Sequence, residues 1–259
     1  MKEHKRDERG LDERYLRKMM VGKNGIQRIM EYNKATKRKF KYKIKIQERY
    51  GRIFSPTKLV KYSSKISFIC NKILNSDGII LVYSQYIDGG CLPMALALEE
   101  LGFTRYGIGK NLFNTKPTEP IDSNTYSNKD VKNKASYAMI TGDILLSPNN
   151  EYEIKALIDN ANINGEKIKV VIISEAGSEG IDLKCVRQVH IIDPWFNLGR
   201  IEQIVGRAIR NCSHKLLPFE KRNVEIHMHA TTLLDEFEEA ADMYVYRTAE
   251  RKAIKIRSE

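Results

Sequence analysis

The chain has 259 residues, 42% of them hydrophobic, and its 44 Lys and Arg against 33 Asp and Glu give a net charge of +11. That length suits one sizeable α/β domain with extensions or two small domains. No apolar run reaches the roughly 18 residues of a membrane helix. The start, Met1-Lys-Glu-His-Lys-Arg6, lacks the apolar stretch of a secretory signal. Four scattered cysteines (Cys70, Cys91, Cys185, Cys212) suit a reducing compartment, so a soluble intracellular protein is expected. Cys212-Ser-His214 has no second ligand pair, and no metal site is expected.

The charge is concentrated at the N-terminal end. Residues 1–50 hold 17 Lys and Arg against 7 Asp and Glu, whereas the other 209 hold 27 against 26. Phe40, Tyr42, Ile44 and Ile46 alternate with Lys39, Lys41, Lys43 and Lys45, a period-2 pattern that predicts a strand with one basic face. Two readings fit it: a contact with a polyanion such as nucleic acid, or a solvated linker. Ser55-Pro56 then reads as a helix start, with Leu59, Tyr62, Ile66, Ile69 and Ile73 at helical spacing and Asp77-Gly78 as the stop. Ile79–Tyr83 is a short apolar run of the kind buried on both faces of a sheet. A helix from Pro93 to Leu101 follows, then residues 107–135, rich in Gly, Asn, Thr, Pro and Ser, which predict a long, mobile surface insertion.

Strand signals return at Tyr137–Ile140, Ile168–Ile173, Gln188–Ile192 and Val224–Met228, with a helix over 150–160 and a turn at Asn164-Gly165. A long closing helix is expected to turn Leu233, Phe237, Ala241 and Tyr244 inward. This alternation predicts a doubly wound, mostly parallel sheet with helices on both faces.

Ligands of such sheets bind beyond the C-terminal strand ends. Three loops stand there: Ser84-Gln85-Tyr86, Thr141-Gly142-Asp143, and Ser174 through Asp182. Gly177 and Gly180 let backbone N–H groups approach an anion, and Ser84, Thr141, Ser174 and Ser178 add short hydroxyls suited to phosphate oxygens. Asp182 is placed to accept from a ribose hydroxyl. The most informative segment is Gln203-Ile-Val-Gly-Arg207-Ala-Ile-Arg210. On a helix, Gln203, Arg207 and Arg210 fall at i, i+4 and i+7 on one face, aiming two guanidinium forks in one direction. Two readings fit: a site beside a triphosphate, or a solvated helix face with two incidental arginines.

Residues from about 56 to 256 resemble the second RecA-like domain of superfamily 2 helicases and DNA translocases. Ile80-Leu-Val-Tyr-Ser84 resembles motif IV, Ser174-Glu-Ala-Gly-Ser-Glu-Gly-Ile-Asp182 motif V, and Gln203–Arg210 motif VI. The style of motifs V and VI is similar to the Snf2-like and poxvirus nucleoside triphosphatase branches. Arg207–His214 and Tyr83–Gly90 resemble helicases of large nucleocytoplasmic DNA viruses, of the early-transcription-factor type. The resemblance implies a helicase C-terminal domain over 55–259 with an insertion near 107–136, preceded by a basic extension or linker over 1–54. It implies Arg210 as arginine finger, Arg207 as its support and Gln203 in the nucleotide cleft, with Gly180, Asp182 and Gly206 shaping an ATP site. Ser84, Gln85, Thr141, Gly142, Ser174 and Ser178 would contact a nucleic-acid backbone. A viral factory or virion would be its location.

The family holds ATP and Mg²⁺ mainly through a first RecA-like domain carrying a P-loop and an acidic motif. No G-x-x-x-x-G-K-[ST] occurs in this sequence; Val21-Gly22-Lys-Asn-Gly25 has neither the spacing nor the following hydroxyl. Neither Asp12-Glu13 nor Asp235-Glu236 follows an apolar strand. The expected function is the C-terminal half of an ATP-dependent helicase or translocase, inactive alone. The alternative is a non-catalytic, transcription-factor-like subunit that binds nucleic acid.

Overall fold

A computed structural model describes residues 21–107, 111–178, 180–233 and 238–257. Asp12-Glu13, Glu179, Asp235-Glu236, Phe237 and the Ser178 side chain lie outside the described residues.

Helix α1 (Gly22–Ile29) runs into an antiparallel hairpin, β1 (Met30–Asn33) and β2 (Arg38–Tyr42). The predicted alternation holds across β2: Phe40 and Tyr42 are buried, while Lys39 and Lys41 face solvent. It stops at Lys43, because Ile44 opens the short helix α2 (Ile44–Tyr50) and is exposed. Tyr32 stacks on Phe40 at 4.6 Å, and the Phe40 backbone pairs with Leu112 and Asn114. The Tyr42 hydroxyl donates to Glu100 at 2.8 Å. The segment expected as an extension or linker is therefore, from Ile26 to Phe54, part of the main hydrophobic core.

The predicted helix after Ser55 is two helices, α3 (Pro56–Tyr62) and α4 (Ser64–Leu74). Ser63 between them is extended and caps α4, its Oγ accepting from the Ile66 N–H. The main sheet holds β3 (Ile79–Tyr83), β4 (Thr104–Arg105), β5 (Ser136–Ile140), β6 (Val170–Ile173), β7 (Val186–Ile191) and β8 (Glu225–Met228). All neighbours are parallel, in the order β4-β5-β6-β3-β7-β8. Ile80 and Val82 point to the face covered by α4, α5 (Leu92–Glu100) and the hairpin. Ile79, Leu81 and Tyr83 point to the face covered by α6 (Asn150–Ile158) and α7 (Leu198–Ala208). The doubly wound parallel sheet is as the sequence predicts.

Residues 111–135 are irregular and mostly exposed or half-exposed, as expected of a surface insertion, but a few buried residues anchor them to the domain. Leu112, Phe113, Ile121 and Ala135 are buried. Two carboxylates order this stretch in place of strand partners. Glu99 accepts from the Leu112 and Phe113 N–H groups (2.6 and 2.9 Å) and the Tyr137 hydroxyl (2.6 Å), and burial raises its pKa. Asp122 accepts from the N–H groups of Asn133, Asn124, Thr125 and Lys132 at 2.9–3.1 Å, bonds that hold its carboxyl down at about 2.

The closing helix α8 (Ala241–Arg257) begins later than predicted. Leu233 precedes it and is exposed, Ala241 and Tyr244 are exposed rather than inward, and the buried positions are Ala240, just before the helix, and Ala249 within it. Asp242 in its first turn is ion-paired to Lys65 at 2.6 Å.

Histidines 190, 227 and 229 stack across β7 and the β8 end, with centroids 4.7–6.2 Å apart. Gln188 Nε2 donates to Glu225 at 3.3 Å, so its Oε1 accepts from His190 Nε2 (3.2 Å), leaving His190 Nδ1 to accept from His229 Nε2 at 3.0 Å. That relay requires a neutral His190 ring. Burial, then the neighbouring histidines and lysines, push His190 down to about 3 and His229 down to about 4. Both pKa values lie below the unfolded value of about 6.5, so the stability they confer is full above pH 6.5 and is lost as pH falls toward 3–4. Thermal melts from pH 7.5 to 5 should show a steep fall in Tm for the wild type and a shallower one for His190→Gln; parallel curves would refute this.

Candidate nucleotide and nucleic-acid site

The strand order β5-β6-β3-β7 sets four loops side by side at the C-terminal edge. Three are the predicted ones; the fourth, Ile192–Asn197 after β7, supplies a residue the sequence reading missed. The Asp193 carboxylate accepts from Ser84 Oγ at 2.5 Å and from the Gln85 N–H at 3.1 Å, and burial raises its pKa. Its signal, an Asp-Pro directly after an apolar strand, was visible in the sequence.

Three of the hydroxyls predicted to face a nucleic-acid backbone are turned inward. Ser84, Thr141 and Ser174 are buried. Thr141 Oγ1 meets Ser147 Oγ at 2.9 Å, and Ser174 Oγ accepts from the Gly142 N–H at 3.3 Å. These three side chains shape the loops, and among the described residues Gln85 and Gly142 are the members of the set left at the surface. Gly177 is required because a Cβ there would sit 1.9 Å from the Ile140 carbonyl oxygen. Gly180 has φ +73 and open space around it.

Helix α7 starts at Asn197, whose Oδ1 accepts from the Gly199 N–H at 2.9 Å. It ends at Ala208, since Ile209 is extended (φ −118, ψ 90). Gln203 and Arg207 therefore share a helix face, but Arg210 does not, contrary to the i+7 expectation. Its backbone is drawn into the next turn, where the Arg210 N–H donates to Ser213 Oγ at 3.3 Å and the Cys185 N–H to the Ser213 carbonyl at 3.1 Å. The Arg210 head group nevertheless returns to the same edge. Its Nε donates to the Gly206 carbonyl at 3.3 Å and its Nη1 lies 2.5 Å from Asp182 Oδ1. The Leu183 N–H donates to the Arg207 carbonyl at 3.1 Å, joining the two predicted motifs through the backbone.

The polar stripe of α7 is instead Arg200, Gln203 and Arg207, at i, i+3 and i+7. Arg200 was missed by the sequence reading. It lies over the Trp195 ring at 4.5 Å, ion-pairs with Glu175 and donates to the Tyr83 hydroxyl. Arg207, half buried, has no ion pair among the described residues. Gln203 is exposed, and Gly206 is half buried with nothing within 4 Å of a built Cβ. This edge thus offers guanidinium groups, an exposed amide and open glycines to an anion. Among the described residues no group of three or more His, Cys, Asp or Glu is arranged to hold a metal, so this donor set fits phosphate rather than Mg²⁺. No helix among them is long and apolar enough to cross a membrane.

The sequence profile of the helicase conserved C-terminal domain matches residues 64–212, from α4 past the end of α7. The chain is 34% identical over 183 residues to a termination factor NPH-I homolog of African swine fever virus, covering 63% of this chain and 25% of that protein. It is 36% identical over 169 residues to nucleoside triphosphatase I of Heliothis armigera entomopoxvirus, covering 65% and 21%. The chain thus spans about a quarter of the length of these relatives. Among solved structures it is similar to the C-terminal part of the Fun30 ATPase domain, at 15% identity and TM-score 0.42, covering 83% of this chain and 62% of that one. With more than half of its length matched by the profile, the chain belongs to the helicase conserved C-terminal domain family of superfamily 2 helicase-like proteins.

Proposed function

We propose that this chain is the C-terminal half of an ATP-dependent nucleic-acid translocase, supplying Arg210, Arg207 and Gln203 to a nucleotide held mainly by a P-loop domain. That domain belongs to another chain or to a longer form of this one. The observation that carries the reading is the convergence of Gln203, Arg207, Arg210 and Asp182 on one edge, tied by the Leu183–Arg207 and Arg210–Asp182 contacts. ATP with Mg²⁺, when bound, supplies the transferable phosphoryl group and its counter-charge. The Arg210 guanidinium leaves Asp182 for the γ-phosphate, where its planar fork offsets developing charge, with Arg207 alongside. The exchange costs little, since the Arg210–Asp182 pair is half exposed, and it leaves Asp182 to accept from a ribose hydroxyl. Gly180 and Gly206 keep that edge open. The surface of the Gln85 and Gly142 loops, whose own N–H groups are held by Asp193 and Ser174, faces the nucleic-acid backbone. The names of the viral relatives, a termination factor and a nucleoside triphosphatase, fit NTP-driven work during transcription.

A phosphate-release assay tests this reading. The purified chain should show no nucleic-acid-stimulated turnover, and adding a P-loop RecA-like domain from a viral relative should produce it. Brisk turnover by the chain alone overturns the half-site reading. The exposed lysines of β2 favour the second reading, a nucleic-acid-binding subunit of the transcription-factor type, under which the added domain brings no ATPase.

A further inference from the structure

Beside the strand-end loops lies a cleft of about 730 Å³ that none of the three motifs uses. The β1–β2 hairpin tip forms one wall and the 144–148 loop the other. Arg38, Lys39 and Lys116 line it, and among the described residues no carboxylate does. Lys37 is turned the other way. It pairs with Asp143 and stands 3.6 Å from Asp88, which pins the hairpin to the loop after β5 and offsets the nearby acids. Opposite the cations, Ile144 and Leu145 are 75% and 40% exposed. Adjacent exposed apolar side chains facing cations across a cleft present a surface suited to a ligand with both an anionic and an apolar side.

The cleft continues into a second one of similar size through the shared residues Ile144 and Pro148. That second cleft reaches Gly142 and carries Tyr152 and Lys155, with Glu151 as its one carboxylate among the described residues. The Tyr152 ring is 55% exposed and held flat by stacking on Tyr106 at 5.8 Å. An aromatic platform, aliphatic faces and a line of cations along one groove match a strand with unpaired bases, because a duplex hides the base faces that stack on such side chains.

We infer that this groove holds a single-stranded nucleic acid, with its phosphates on Arg38, Lys39 and Lys116 and its bases against Ile144, Leu145 and Tyr152. The hairpin is thereby a strand-binding element outside the helicase motifs. The inference deepens the proposed function and rests on it for the continuation of the strand past Gly142.

Fluorescence anisotropy of the full chain with labelled oligo(dT), and with the matching duplex, tests it. Lys39→Glu combined with Lys116→Glu should weaken oligo(dT) binding at least about tenfold at 0.1 M salt and flatten the log–log salt slope by about 1.4, the release of two counterions from a single strand. Tyr152→Ala should weaken it about fivefold or more with little change in slope. Both variants alter exposed side chains, so unchanged thermal melts will show that they fold. A double variant that matches the wild type in affinity and slope overturns the groove while leaving the ATPase reading intact. Weakened binding without reconstituted ATPase supports the groove and refutes the translocase reading. Preference for the duplex, or for an acidic peptide over oligo(dT), overturns the assignment of a single strand.

Discussion

Arg210→Ala, in ATPase reconstituted with a P-loop domain, is expected to lower kcat by about 10³-fold or more with little change in the KM for ATP. Arginine fingers contribute about 10³–10⁵ because they act where charge builds on the transferring phosphoryl group, and not on the bound ground state. Arg210→Lys should rescue little, since an ammonium lacks the planar fork that spans two phosphate oxygens. The effect cannot come from lost folding. The Arg210–Asp182 pair is 47% and 60% exposed at its two side chains, a setting in which an ion pair contributes at most about 1 kcal/mol. Thermal melts of Arg210→Ala should therefore lie close to those of the wild type. Asp182→Asn provides the internal control: it releases Arg210 from its partner, so kcat should fall much less. If Arg210→Ala retains activity within tenfold of the wild type, the finger assignment fails and Arg207, on the helix face, is the residue to test next.

The contrast between Arg210 and Arg200 shows which parts of this molecule are legible in its sequence. Buried strands announce themselves: Ile79–Tyr83 and Val170–Ile173 are short continuous apolar runs, rich in Ile and Val, of the kind found in a sheet covered on both sides. The loops beyond them follow from the sheet, so Ser84, Thr141 and Ser174 were found in the right place. Their hydroxyl directions were not, because hydrogen bonding inside a loop depends on which loop lies next to it in space. Thr141 turns to Ser147, and Ser84 to Asp193, 109 residues away in the chain. Helix ends are similarly non-local. Nothing in Arg207-Ala-Ile-Arg210 forbids a further turn, and α7 stops because Ser213 holds the chain against Cys185. The same holds for residues 111–135, whose polar composition predicts a loose surface segment. Glu99 and Asp122 bind its backbone N–H groups in the interior, and a carboxylate acting as a strand partner leaves no periodicity to read.

Gly177→Ala is expected to destabilise the fold by about 3 kcal/mol or more, a large share of the roughly 5–15 kcal/mol that holds a domain together. Gly177 lies in the single 3₁₀ turn after β6, and a Cβ there meets the Ile140 oxygen at 1.9 Å, the Ile140 carbonyl carbon at 2.5 Å and the Thr141 nitrogen at 3.0 Å. All three are backbone atoms of a fully buried strand end. The Ile140 oxygen already accepts from the Ser174 N–H at 3.1 Å, so relief of the clash must break that bond or lift the loop from β5. Gly206 presents the opposite case. It sits inside α7 with nothing within 4 Å of a built Cβ, and Gly206→Ala should stabilise the helix by roughly 0.5–1 kcal/mol. Urea melts of the two variants should therefore move in opposite directions. If the α7 edge is where the nucleotide approaches, Gly206→Ala should also cut the reconstituted ATPase even as it stabilises the chain. A more stable variant with full ATPase would show that the nucleotide does not approach α7 at Gly206, whereas a less stable one would mean that the open space at that position is needed by the fold itself.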